Sequence, residues 1–292
     1  MNGLDGVARS RYVRVDGVRT HYLEAGEGPP LVLLHSGEFG GCAEFSWEHN
    51  IPSFAEQFRV IAPDWLGFGR TDKLHDFESK SDRMIRHMAS FLEIMDIDED
   101  QPADFCGHSM GGSMLIREAA RGGRCRLPIR RMVTASGGGF VPDNEFRRLT
   151  LTYDGTAEHM QRMLEGGFSD AAWWTDEDYV RRRVKESLRP GAWESVAAAR
   201  FKAPNVPERS QFGHPDQTPY EAIEVPVLLT AGAEDKLRLP GWTKGLGDRI
   251  PQVEVLLVDG VGHNVNIEAA DIFNEATLRF LGAQEPVPRK AD

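Results

Sequence analysis

The segment Cys106-Gly107-His108-Ser109-Met110-Gly111-Gly112 limits the folds open to this chain more than any other. It follows a short apolar run, Ala103-Asp104-Phe105-Cys106, and leads into a stretch with helical spacing from Met110 to Arg121. A strand must therefore become a helix within a few residues. Gly-x-Ser-x-Gly at such a junction marks a turn so sharp that the serine hydroxyl stands clear of the sheet edge. The flanking glycines answer a steric demand, because the turn presses its neighbours against the adjoining strand and helix, where a Cβ would collide.

Other short apolar runs read as buried strands: Leu31 to Leu34, Arg59 to Ala62, Arg131 to Thr134, Val227 to Thr230 and Val253 to Val258. Helical patterns lie between several of them, at Ser81 to Met95, Met110 to Arg121 and Ala269 to Leu281. Strands alternating with helices predict an α/β fold whose mostly parallel sheet is covered on both faces. Asp16-Gly17, between Tyr12 to Val15 and Arg19 to Leu23, predicts an opening hairpin. The alternation fails between about 140 and 220, a polar stretch rich in Arg, Glu and Trp with helical segments at Glu158 to Leu164 and Asp176 to Leu188. It is too long for a loop. It reads as a helical cap over the carboxyl ends of the strands, against the alternative of a peripheral decoration. The expected division is a core of residues 1–139 and 221–285, a cap of 140–220 and a frayed tail of 286–292. Pro204, Pro207, Pro215 and Pro219 mark the return linker.

A chain of 292 residues can bury one large core without a disulfide or metal staple. Its three cysteines, Cys42, Cys106 and Cys125, show no metal spacing and suggest a reducing compartment. The formal net charge of -11 argues against nucleic acid or an anionic membrane as partner. No apolar run approaches a membrane span and the first residues lack a signal-peptide core, so the expectation is a cytoplasmic protein acting on a small molecule. The oligomeric state is open, a homo-oligomer included.

A serine on an elbow needs a base to take its proton and a carboxylate to orient that base. Asp235 follows the Val227 to Thr230 run, in Ala231-Gly232-Ala233-Glu234-Asp235, and His263 follows Val253 to Val258, in Asp259-Gly260-Val261-Gly262-His263. Both are loop positions after late strands, in the chain order serine, acid, histidine. Glu234 and Asp259 are the other candidates for the acid. An oxyanion hole would draw one N–H from Met110 and the other from the loop His35-Ser36-Gly37-Glu38-Phe39-Gly40-Gly41. Gly37 is favoured there, with Ser36 and Glu38 as neighbouring alternatives, and His35 is expected to tie the loop down. Asp64 to Thr71 contains Gly67-Phe68-Gly69, but without a third glycine at nucleotide-loop spacing. It reads as a tight turn shaping the pocket floor. No cofactor and no metal are expected.

These strings, with Asn50-Ile51-Pro52 and Asn266-Ile267-Glu268-Ala269-Ala270-Asp271, make the chain resemble the α/β-hydrolase family over nearly its whole length. Within that family it is most similar to the meta-cleavage-product hydrolases, the carbon–carbon bond hydrolases of aromatic degradation. The resemblance implies an α/β-hydrolase fold with an inserted helical cap and a cofactor-independent serine hydrolase with Ser109, Asp235 and His263 as its triad. It also implies a cap arginine holding a dienoate carboxylate, matched to Arg183 with Arg182 close behind. A solvated helix face is the other reading of these arginines. The chain departs from the subfamily at His108, usually asparagine, at Asn264, usually tryptophan, at Glu38-Phe39-Gly40, usually Gly-Pro-Gly, and at Ser46, where asparagine is expected. Ser36, His108 and Asn264 join Arg183 as expected substrate-binding positions, and their departures leave an ester hydrolase as the alternative. A hydrolase-fold receptor and a cofactor-free oxygenase are the more distant readings. A haloalkane or epoxide substrate would require a carboxylate where Ser109 stands.

Overall fold

The computed structural model describes residues 4–76, 80–198 and 212–282. Pro204 and Pro207 of the expected linker, and the 286–292 tail, lie outside the described residues. Eight strands form one sheet in the order β1-β2-β4-β3-β5-β6-β7-β8. They are β1 (Arg9–Val15), β2 (Val18–Ala25), β3 (Pro30–Leu34), β4 (Arg59–Pro63), β5 (Ala103–His108), β6 (Ile129–Ala135), β7 (Val227–Gly232) and β8 (Val253–Val258). The first two pair antiparallel through Val15 opposite Val18, with Asp16 and Gly17 both at positive φ as a tight hairpin turn requires. β2 also pairs antiparallel with β4, and all later neighbours are parallel.

Successive strand residues point to opposite faces, and the sheet buries both. Val32, Leu34, Phe105, Met132 and Leu229 enter one core with Met84, Met88, Phe91 and Leu92 of the helix Lys80–Ile94. Leu31, Leu33, Cys106, Val133 and Leu228 enter the other with Phe273 and Phe280 of the helix Ala270–Gly282. β5 is buried along its whole length. Its carboxyl end, where the serine sits, is thus held inside the sheet, as is that of β7.

Between β6 and β7 the described chain is helical: Glu145–Leu149, Ala157–Gly167, Ala171–Thr175, Glu177–Ser187 and Ala192–Ala197. Asn144, Thr156, Asp170 and Asp176 cap four of these helices through side-chain oxygens that accept from backbone N–H groups. The segment has its own apolar cluster, including Tyr153, Met160, Leu164, Phe168 and Tyr179, which also takes in Phe39, Phe45 and Ile267 from the loops after β3 and β8. The insertion therefore packs on the carboxyl ends of the parallel strands.

The turn at Ser109 depends on Gly111, where a Cβ would overlap the Leu34 carbonyl oxygen of β3. Gly111→Ala should destabilise the protein by roughly 1–3 kcal/mol through overpacking. Urea unfolding checks this, and an unchanged midpoint would contradict the close approach.

Candidate active site

Ser109 sits between β5 and the helix Met110–Ala119 at φ 49°, ψ -104°. Its N–H donates to the Ala135 carbonyl of the neighbouring strand (2.8 Å), and its carbonyl accepts from Ser113 N–H (2.9 Å). The loops after β7 and β8 are tied to each other, with Ala233 N–H bonded to Val258 O and Glu234 N–H to Val261 O, both at 2.9 Å. That tie brings Asp235 and His263 together. His263 Nδ1–H donates to Asp235 Oδ2 at 2.7 Å, which leaves Nε2 to accept from the Ser109 hydroxyl at 2.8 Å. Burial pushes the Asp235 carboxyl up, but His263 and then Arg238 outweigh it and hold the group below the usual range. Glu234 and Asp259, the other candidates for the acid, are exposed.

The loop after β3 is fixed by His35, which is fully buried. Its Nε2 accepts from Trp65 N–H (2.9 Å), so Nδ1–H donates to the Ser36 carbonyl (2.6 Å). Burial keeps this imidazole neutral by lowering its pKa. Gly37 lies so close to Met110 that a side chain at position 37 would overlap the methionine sulfur. Both residues line the cavity that Ser109 and His263 face, which suits their N–H groups to a developing oxyanion.

Two expected substrate contacts are placed differently. Ser36 and His108 are buried and do not line the cavity. Both turn instead toward Ser46, whose Oγ lies 3.1 Å from Ser36 Oγ and 3.3 Å from His108 Nδ1. The reason is direction: the side chain before the nucleophile points into the layer behind it. Burial lowers the His108 pKa to about 3, against the pull of Glu38. The Asp64 to Thr71 turn does not reach the cavity either. Asp64 instead organises the backbone there, accepting from Ala43 N–H (2.8 Å), Arg70 N–H (2.7 Å) and His21 Nδ1–H (2.7 Å).

Through His21 the chain repeats the serine–histidine–aspartate hydrogen-bond pattern, since Ser10 Oγ–H donates to His21 Nε2 at 2.8 Å. Ser10 is an exposed residue within β1, and none of the three lines the main cavity. Ser109 differs from Ser10 in standing on the strand–helix elbow and lining the cavity.

The cavity, about 350 Å³, lies between the strand ends and the insertion. Arg183 reaches it from the helix Glu177–Ser187, and it is buried. Its Nη2 donates to Glu38 Oε1 at 2.7 Å, while Nε has no partner. Burial opposes the Glu38 charge, but Arg183, His108 and the Ser36 hydroxyl win and hold this carboxyl at about 2. Arg182 points elsewhere, to Glu48 at 2.8 Å. Asn264 lines the cavity and donates from Nδ2 to Gly167 O (2.9 Å), stitching the β8 loop to the insertion. Apolar walls come from Phe146, Met160, Met163 and Leu164. Three further arginines line the cavity, Arg117, Arg147 and Arg238. Sequence reasoning missed them, although Arg238 stands only three residues after Asp235. Among the described residues no group of His, Cys, Asp and Glu is arranged to hold a metal.

Comparison with known proteins agrees with this architecture. The family model described as the alpha/beta hydrolase family matches residues 31–276. A 2-hydroxy-6-oxo-6-(2'-aminophenyl)hexa-2,4-dienoic acid hydrolase of Metapseudomonas resinovorans is 31% identical over 282 residues, covering 96% of this chain and 93% of that protein. A 2-hydroxymuconate semialdehyde hydrolase of Pseudomonas sp. (strain CF600) is 30% identical over 273 residues, 93% of each. Among solved structures, a meta-cleavage product hydrolase from Pseudomonas fluorescens IP01 superposes with a TM-score of 0.80 at 27% identity, covering 93% of this chain and 97% of the other. A strand–elbow–helix serine at the centre of an eight-stranded sheet, with these relatives at full length, makes the chain a member of the alpha/beta hydrolase family.

Proposed function

We propose that this chain is a cofactor-independent serine hydrolase that cleaves a carbon–carbon bond beside a ketone in a ring-fission dienoate. The observation that carries the reading is Arg183, a buried cation on an inserted helix that faces the same cavity as Ser109. It is placed to take the carboxylate of a dienoate whose ketone lies over the serine. The relatives named for dienoate and semialdehyde hydrolysis support the same substrate class. The described helices between β6 and β7 then act as the cap over the dienoate.

In this reading the 2-hydroxydienoate first ketonises, its hydroxyl proton passing to C5, a transfer His263 is placed to assist. Ser109 attacks the C6 ketone as His263 takes its proton, and the N–H groups of Gly37 and Met110 receive the oxyanion. Collapse breaks the C5–C6 bond, whose electron pair returns to the conjugated 2-keto fragment as a dienolate, and the proton His263 took from Ser109 passes to it to give the dienol and leave His263 neutral. Water, deprotonated by His263, then releases the acyl group as its acid. The net change is the addition of one water across one carbon–carbon bond. Hydrolysis of a carboxylic ester is the second reading, favoured by Glu38, which already neutralises Arg183.

A ring-fission dienoate should be turned over with a higher kcat/KM than any of a panel of aryl and alkyl esters. Turnover of esters with none of the dienoate would select the second reading. Asp235→Asn should lower kcat by roughly 10⁴, because the imidazole loses its tautomer and orientation; a kcat near wild type would remove Asp235 from the proposed triad. His108 carries a proton only below about pH 3. Neutral through the working range, it cannot supply the acid limb of the pH–rate profile. His108→Asn should therefore leave the midpoint of that limb in place, and a moved midpoint would contradict the assignment.

A further inference from the structure

The cavity carries positive charge on two sides of Ser109, and among the described residues only one side has an ion-pair partner. Arg183 and Glu38 lie with the loop after β3, on one side of β5 in the sheet order. Arg238 follows β7 on the other side, and it lies close enough to Arg147 and Arg117 for each to act on its charge or have its charge acted on. Arg238 is buried, donates to the Ser136 carbonyl at 2.7 Å and the Phe140 carbonyl at 3.1 Å, and leaves a buried Nε without a partner. Arg147 spends Nε and Nη2 on the Leu237 carbonyl, at 3.2 and 3.0 Å. Among the described residues its Nη1 donates to no protein acceptor, and none of these three arginines forms an ion pair.

Two carboxylates stand within electrostatic reach, and both are occupied. Asp235 accepts from His263 and from Leu237 N–H, and Asp216 accepts from the Tyr220 hydroxyl and Thr218 N–H. Burial and then Arg238 depress the Arg147 pKa to about 10, against the pull of Asp235. A guanidinium so placed is satisfied best by an anion that arrives with the ligand. Phe146 and Val141 line the same cavity as these arginines, which suits a short apolar spacer.

We propose that Arg147, backed by Arg238 and Arg117, forms an anion subsite on the β7 side of Ser109, and that the acyl half of the substrate ends in a carboxylate. This rests on the hydrolase reading above: with the dienoate carboxylate at Arg183, the acyl group must extend to the opposite side. The substrate class is then a dicarboxylate dienoate, and the acid released is itself dicarboxylic.

Two matched pairs test this. One pair is a ring-fission dienoate bearing a 2-carboxyethyl or a propyl group on the C6 ketone, and the other is the 4-nitrophenyl monoester of succinic acid or of pentanoic acid. The wild-type enzyme should prefer the charged member by about tenfold or more in kcat/KM, as a charge-assisted contact predicts. Arg147→Gln should remove most of that preference through KM, and Arg147→Lys should restore part of it. Should Arg147→Gln fail to fold, Arg117→Gln at an exposed helix position is expected to lower the preference in the same direction. A wild-type preference for the neutral members, or one unchanged in the arginine variants, would overturn the subsite. If only the esters turn over and the charged ester is preferred, the carbon–carbon reading fails while the subsite stands. If dienoates are cleaved without regard to charge, the reverse holds. Turnover of neither pair counts against both.

Discussion

Ser109 holds a backbone conformation, φ 49° and ψ -104°, that a residue with a side chain adopts at a cost of about 1–3 kcal/mol. The surrounding sheet offsets that cost. β5 is buried from end to end, Ser109 N–H completes the ladder with β6, and Gly111 presses on the Leu34 carbonyl of β3. Three central strands therefore fix one serine, and the other parts of the site take their places relative to it. The loops after β7 and β8 bring Asp235 and His263 to it, and the loop after β3 brings Gly37 to the same cavity.

Much of this was legible because each element carries a local signal. Apolar runs ending in glycine-rich turns located β3, β5, β7 and β8, and Ser109, Asp235 and His263 each stand just beyond such a run. Contacts between distant segments carry no such signal. The Glu38–Arg183 pair joins positions 145 residues apart. Composition and periodicity put Arg183 on a helix, but not on the face that meets Glu38. Side-chain direction was equally hidden at Ser36 and His108, which turn to Ser46 behind the cavity wall. Arg147 and Arg148 make the same point side by side. Arg148 lies exposed against Asp143 at 2.8 Å, while Arg147, one residue away, turns inward to the Leu237 carbonyl.

Electrostatics gives the departures from the meta-cleavage pattern a common logic. Placing Glu38 in the β3 loop gives Arg183 a permanent counter-ion, so a substrate carboxylate there must share the guanidinium. On the β7 side Arg117, Arg147 and Arg238 form no ion pair with any described residue. In the proposed reading this shifts the attraction for anions to the far side of Ser109. His108 turns to Ser46 and lines neither side of the cavity.

In the proposed mechanism the strained elbow makes Ser109 the nucleophile and His263 activates it. Reaction with a fluorophosphonate, followed by peptide mass spectrometry, tests this without any choice of substrate. One label is expected, on the peptide containing Ser109, lost in Ser109→Ala and slowed by orders of magnitude in His263→Ala. A label on Ser10 or elsewhere, or undiminished labelling without His263, would contradict it.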